Sequence, residues 1–156
     1  MKRSLVISVS ILLACGIADA ATSKKTVINR LTYTIAAEVI TDKDEKAQVV
    51  VQAGKSEDIK YSNTAVQFNV YKVERMQGKN PVLGDKILAV QVVGKIGQDV
   101  NNTWLNSNSV FAILYDTAKQ RVRGWAGNDA GALKKADPSK ATPCGQSTAD
   151  IFIYCK

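Results

Sequence analysis

The sequence predicts an all-β protein: an antiparallel β-sandwich of about eight strands with at most one short helix, and a distorted barrel as the alternative closure. Three observations carry this. Apolar residues recur at every second position through Leu31, Tyr33, Ile35, Ala37 and Val39, with Thr32, Thr34 and Glu38 between them. That is the period of a strand with one buried and one wet face. The same alternation returns in Ala47, Val49, Val51 and Ala53 and again in Val66, Phe68 and Val70, with charged or polar turns between. Of 156 residues, 46% are hydrophobic and 22% charged, enough apolar surface for one core and too little charge for a disordered chain.

Residues 1–20 stand outside the fold argument. Lys2 and Arg3 precede the uncharged apolar run Leu5 to Ala14, and Ala18-Asp19-Ala20 supplies a small-x-small cleavage site, so a signal peptide is expected and the domain is 21–156. Leu12-Leu13-Ala14-Cys15 also reads as a lipobox, in which Cys15 would be lipidated and tether the protein to a bacterial membrane. The expectation is therefore an exported protein, secreted or periplasmic, with a lipid-anchored envelope form as the alternative.

The first strand is expected from Val27 to Ile40, long enough to bend near Ala36-Ala37. Asp42 to Lys46 is a charged turn. Its Asp-x-Asp start resembles a calcium loop, but Ala47 stands where glycine is needed and no glutamate follows at the twelfth position. Ala53-Gly54-Lys55-Ser56 resembles the end of a phosphate-binding loop, yet a strand occupies the place of the glycine-rich start, so Gly54 is read as a turn. Ile59 and Tyr61 resume the alternation, and Val66 to Met76 continues the sheet. Glu74 to Asp85, dense in turn formers, is read as a surface loop. Leu88, Val90, Val92 and Ile96 form a further half-buried strand.

Four asparagines (Asn101, Asn102, Asn106 and Asn108) surround Trp104, a composition that suits either a ligand-contacting tip or a loop whose indole plugs the core. Ser109 to Tyr115 is a strand covered on both sides, and Asp116 to Lys119 turns the chain back. The return strand places Arg121, Arg123 and Trp125 on one face. That face can grip an anion through forked guanidinium bonds, or it can be a solvated face with guanidinium stacked on indole. Asn128 to Ala136 fits one short helix with Lys134 and Lys135 near its C-terminal end. Asp150 to Cys155 is the last strand, and Cys144 and Cys155 are expected to form a disulfide in an oxidising compartment.

There is no histidine anywhere in the chain, which excludes Ser-His-Asp and Cys-His catalysis and histidine-ligated zinc. An enzyme would need a Ser-Lys arrangement or a carboxylate pair drawn from residues such as Glu38, Glu57, Asp58, Glu74 and Asp116. Removal of Lys2, Arg3 and Asp19 with the leader takes the formal charge from +7 to +6, which favours anionic partners. The expectation is a non-enzymatic binding protein that needs no cofactor or metal. Its anionic ligand would be a lipid headgroup, lipopolysaccharide or acidic glycan, held by Arg121, Arg123, Trp125, Lys134 and Lys135, with Trp104 as a further contact. A carboxylate-dependent glycan hydrolase and an envelope component that binds a protein through a sheet edge are the alternatives. Nucleic acid is not expected, and a membrane is met only through a lipid anchor or headgroup contact.

Overall fold

A computed structural model describes residues 22–91, 105, 107–137 and 151–153. Eight strands form two four-stranded layers, and a ninth strand of three residues adds to the edge of the first. The strands are β1 Ser23–Asn29, β2 Ile35–Thr41, β3 Lys46–Val51, β4 Ser56–Tyr61, β5 Ala65–Gln77, β6 Asn80–Gln91, β7 Val110–Asp116, β8 Arg121–Gly127 and β9 Ile151–Ile153. One helix, α1 Ala130–Lys135, lies between β8 and β9. The first sheet has the order β4-β1-β7-β8-β9 and the second β3-β2-β5-β6.

The all-β, two-sheet architecture matches the period-two pattern. The second sheet is antiparallel throughout, whereas the first is mixed: β1 pairs with β7, and β8 with β9, in parallel. A parallel ladder needs a crossover rather than a hairpin: β8 and β9 are separated by α1 and by residues outside the described set. β7 returns beside β1 only after the excursion through the second sheet, so no hairpin joins them.

The expected strand from Val27 to Ile40 is corrected. It is two strands, β1 and β2, in different sheets, separated by the crossover 30–34. The alternation survives the break because both segments face the same core. Val27, Leu31, Ile35, Ala37 and Val39 all belong to one buried cluster with Phe68, Val70 and Phe111. The rings of Phe68 and Phe111 meet across the sheets at 4.9 Å and 41°, a tilted geometry worth about 0.5–1.5 kcal/mol beyond burial.

The expected loop from Glu74 to Asp85 is also corrected. β5 and β6 run through it and are joined by the two-residue turn Gly78-Lys79. Gly78 has φ +63°, and glycine with positive φ at the first central position matches the twist of a tight hairpin. Gly84 and Pro81, which look like loop residues, sit in a strand whose pairing shifts register three times.

The charged turn after β2 and the turn at Gly54 form as expected. The buried Thr41 hydroxyl accepts from the amides of Lys43 and Glu45 at 3.4 and 3.3 Å, and Gly54 has φ +70°. The expected strand positions Val92 and Ile96 lie outside the described residues, as do residues 1–20 with Cys15.

Gly124 lies where the two sheets and β9 come close together. A Cβ there would stand 3.1 Å from Ile151 Cγ1 and 3.5 Å from Leu88 Cδ2. Gly124→Ala is expected to lower stability by about 1–3 kcal/mol through overpacking, read as a lower urea midpoint at unchanged slope.

Candidate functional site

The outer face of the first sheet is built from β1, β7 and β8. Register places Ala112 opposite Trp125, Leu114 opposite Arg123 and Asp116 opposite Arg121, with Ile28 beside Ala112 on the other flank. This face is not open. Ile28, Val110, Ala112, Leu114 and Trp125 form a second buried cluster, closed from above by Leu133 of α1.

A six-residue helix is too short to hold itself, so its ends are fixed from outside. Asp129 caps the N-terminus, its Oδ1 accepting from the Ala132 amide at 2.9 Å. Arg30, in the crossover after β1, donates through Nη1 to the carbonyls of Leu133 and Ala136 at 3.1 and 2.6 Å. That satisfies helix-end acceptors with a cation, as the helix dipole favours. Lys134 and Lys135 occupy the last turn and are exposed.

The structure therefore brings five of the predicted residues to one side of the first sheet but splits them by depth. Arg121, Lys134 and Lys135 are exposed. The expectation that Arg123 and Trp125 stand on an open face is corrected: they are 9% and 2% exposed. The physical reason is the helix, which covers the apolar half of the face and takes the indole into its contact. Arg123 lies 3.4 Å from Asp116 Oδ2, and both side chains are largely withdrawn from water. Asp116 also accepts at Oδ1 from the amides of Ala118 and Lys119, so one carboxylate holds the hairpin turn and the arginine together. What remains toward solvent is a mainly cationic rim of Arg121, Lys134 and Lys135, with Lys119 exposed in the adjoining turn and one exposed acid, Asp137, just past the helix. Trp104 and the cysteines Cys144 and Cys155 lie outside the described residues.

Glu38, Glu74 and Asp116 stand on β2, β5 and β7, while Glu57 and Asp58 are neighbours on β4 and so point to opposite faces of that strand. Glu38, on the outer face of the second sheet, accepts from Asn69 Nδ2 at 3.0 Å and from the Tyr71 hydroxyl at 3.5 Å, both at Oε1. Asp58, on the edge strand β4, accepts from Thr26 Oγ1 at 2.8 Å and pairs with Lys24 at 3.1 Å. The Thr26 hydrogen bond and then Lys24 hold its carboxyl below the usual range. Among the described residues no three histidine, cysteine, aspartate or glutamate side chains converge to hold a metal ion.

Sequence reasoning missed Arg30, Asp129 and Lys25. Nothing around Arg30 signals that it reaches a helix a hundred residues away. Lys25 did carry a signal, because it shares the inward phase of Val27 in β1. It is 5% exposed, donates to the Asn108 carbonyl, and lies 5.8 Å from the Phe111 ring centre. Burial pulls its ammonium down to about 8, and burial pushes the Tyr61 phenol up to about 12.

No known protein family matches the chain, and no curated protein or solved structure is similar to it.

The Lys25 amine gives a pH signature. Its folded pKa lies below the 10.5 of an unhindered lysine, so above pH 8 the unfolded chain binds more protons than the folded one, and stability rises with pH. Tyr61 acts in the opposite sense above its ordinary value of 10.0, where the folded state keeps a proton that the unfolded state loses. Stability measured by urea titration is expected to climb between pH 8 and 10, and Lys25→Met is expected to abolish the climb. A flat wild-type profile would contradict the assignment.

Proposed function

We propose that the chain is an exported, non-enzymatic binding protein whose ligand presents anionic groups, as a lipid headgroup, lipopolysaccharide or acidic glycan does. The observation that carries the reading is the cationic rim beside the end of α1. Arg121, Lys134 and Lys135 are exposed there; of the nearby carboxylates Asp116 is turned inward onto Arg123, and Asp137, just past the helix, is exposed and acts on Arg30. Exposed cations grouped beside a rigid helix end attract an anion without the cost of ordering a loop. The formal charge of +7 has the same sign. Within this reading Arg123 and Trp125 are supports: the ion pair fixes the strand that carries Arg121, and the indole seats the helix that carries the two lysines.

Lipopolysaccharide and polygalacturonate are the probes. Wild-type protein is expected to bind one or both, more weakly as salt rises. Arg121→Glu/Lys134→Glu/Lys135→Glu is expected to weaken binding by roughly tenfold or more, since each cation near an anionic surface contributes about 1 kcal/mol. Arg123 is left intact, because a carboxylate placed against Asp116 would unsettle the fold rather than test the site. Equal binding by the triple variant and the wild type would remove the rim from the mechanism.

A further inference from the structure

β5 and β6 run on past their neighbours. β2 accompanies β5 only as far as Lys72, and from Val73 to Gln77 the ladder partner of β5 is β6 alone. The result is a two-stranded ribbon, 73–83, turned at Gly78-Lys79.

Its pairing sorts the side chains. Val73 stands opposite Leu83, and Met76 opposite Pro81, so each pair shares a face. β6 runs without interruption from Asn80 to Leu83, which puts Pro81 and Leu83 on the same face as each other. A register shift between Val73 and Arg75 absorbs the extra residue on β5, so Val73 and Met76, three apart, also share that face. Val73, Met76, Pro81 and Leu83 therefore share one side, with Val73 buried at the base of the ribbon, where its amide donates to the Thr34 carbonyl at 3.1 Å, while Arg75, Gln77, Asn80 and Val82 take the other. Met76 is 47% and Leu83 37% exposed, and among the described residues only Tyr115 joins them as an exposed large hydrophobic. Around the ribbon, both faces together, the exposed cations Lys72, Arg75, Lys79 and Lys86 outnumber the exposed acids Glu74 and Asp85, with the Lys72 and Lys86 ammonium groups 5.4 Å from the ring centres of Tyr33 and Tyr71 respectively.

We propose that the ribbon is a membrane-surface contact, its apolar face resting in the headgroup region of an anionic bilayer and its cations meeting the lipid phosphates. An apolar strip edged with lysine and arginine is the arrangement of interfacial segments, whose long cationic stems lie along the lipid while their heads stay in water. Charge selects the occupant. The ribbon carries more cations than acids, and so does the chain, which opposes a second copy and favours an acidic surface. Area points the same way, because the exposed Met76 and Leu83 with the half-buried Pro81 fall far short of the roughly 800 Å² per partner of a stable protein interface. The ribbon belongs to the second sheet and the cationic rim to the first, so the two proposals stand or fall separately.

Vesicles of phosphatidylcholine, with and without phosphatidylglycerol, provide the test. Wild-type protein is expected to sediment with the anionic vesicles and not with pure phosphatidylcholine. Met76→Ser/Leu83→Ser is expected to lose roughly tenfold in partitioning while keeping the wild-type melting temperature, since both side chains lie outside the core. Tryptophan in place of Leu83 (Leu83→Trp) is expected to add a blue-shifted emission on mixing with anionic vesicles, and to do so equally in the triple rim variant. Unshifted emission, or equal partitioning of the double variant and the wild type, would overturn the proposal. So would a vesicle-free dimer that the double variant dissociates, which would make a second copy the occupant.

Discussion

The carboxamide of Asn29 ties the two sheets together. Asn29 is the last residue of β1 and is fully buried. Its Nδ2 donates to the carbonyls of Tyr33 and Val51 at 2.8 and 2.9 Å, and its Oδ1 accepts from the Leu31 amide at 2.9 Å. Its own amide donates to the Lys55 carbonyl at 2.9 Å. One side chain thus holds the crossover into the second sheet, the end of β3, and, through its backbone, the turn by which the chain returns to β4. Buried backbone groups at such crossings have no ladder to join, and leaving them unsatisfied costs more than the hydrogen bonds themselves contribute.

With the sheets held at that corner, their outer faces are free to differ. The first sheet is covered by α1, and its polar residues are pushed to the periphery, where Arg30 closes the helix and Asp116 receives Arg123. The second sheet has a polar outer face on which Gln67 donates to Asn69 at 3.0 Å and Asn69 to Glu38. Beyond that face the sheet narrows to the ribbon. Proposed contacts with anionic ligand and with lipid therefore sit on elements that a rigid core positions but does not bury.

Much of the fold could be read in advance, and the errors have physical causes. Alternation identified the core faces of β2, β3 and β5 because Ile35, Ala37, Val39, Val51, Phe68 and Val70 belong to one buried cluster, with Ala47 and Val49 packed against it. It failed between Val27 and Ile40, since a chain that changes sheets while facing one core keeps its period across the gap. Only Asn29, a polar residue in the inward phase, marked the place. Pro81 and Gly84 suggested a loop because bulged edge strands use the same residues as turns. Of the site, the alignment of Arg121, Arg123 and Trp125 was legible from spacing. Their depth was not, because it depends on where a later helix lands, and a strand that alternates with arginine carries no record of what covers it.

Equilibrium urea unfolding of Asn29→Ala tests this account most directly. The substitution removes the side-chain partner of two carbonyls and an amide at the crossover, those of Val51 and Leu31 buried, and the expected loss is about 3 kcal/mol. The expected cause is local: the corner between β1, β3 and the crossover should show the largest rise in amide hydrogen exchange. A variant within about 0.5 kcal/mol of wild type would mean that the sheets are held together by apolar packing alone, and would contradict the role assigned to Asn29.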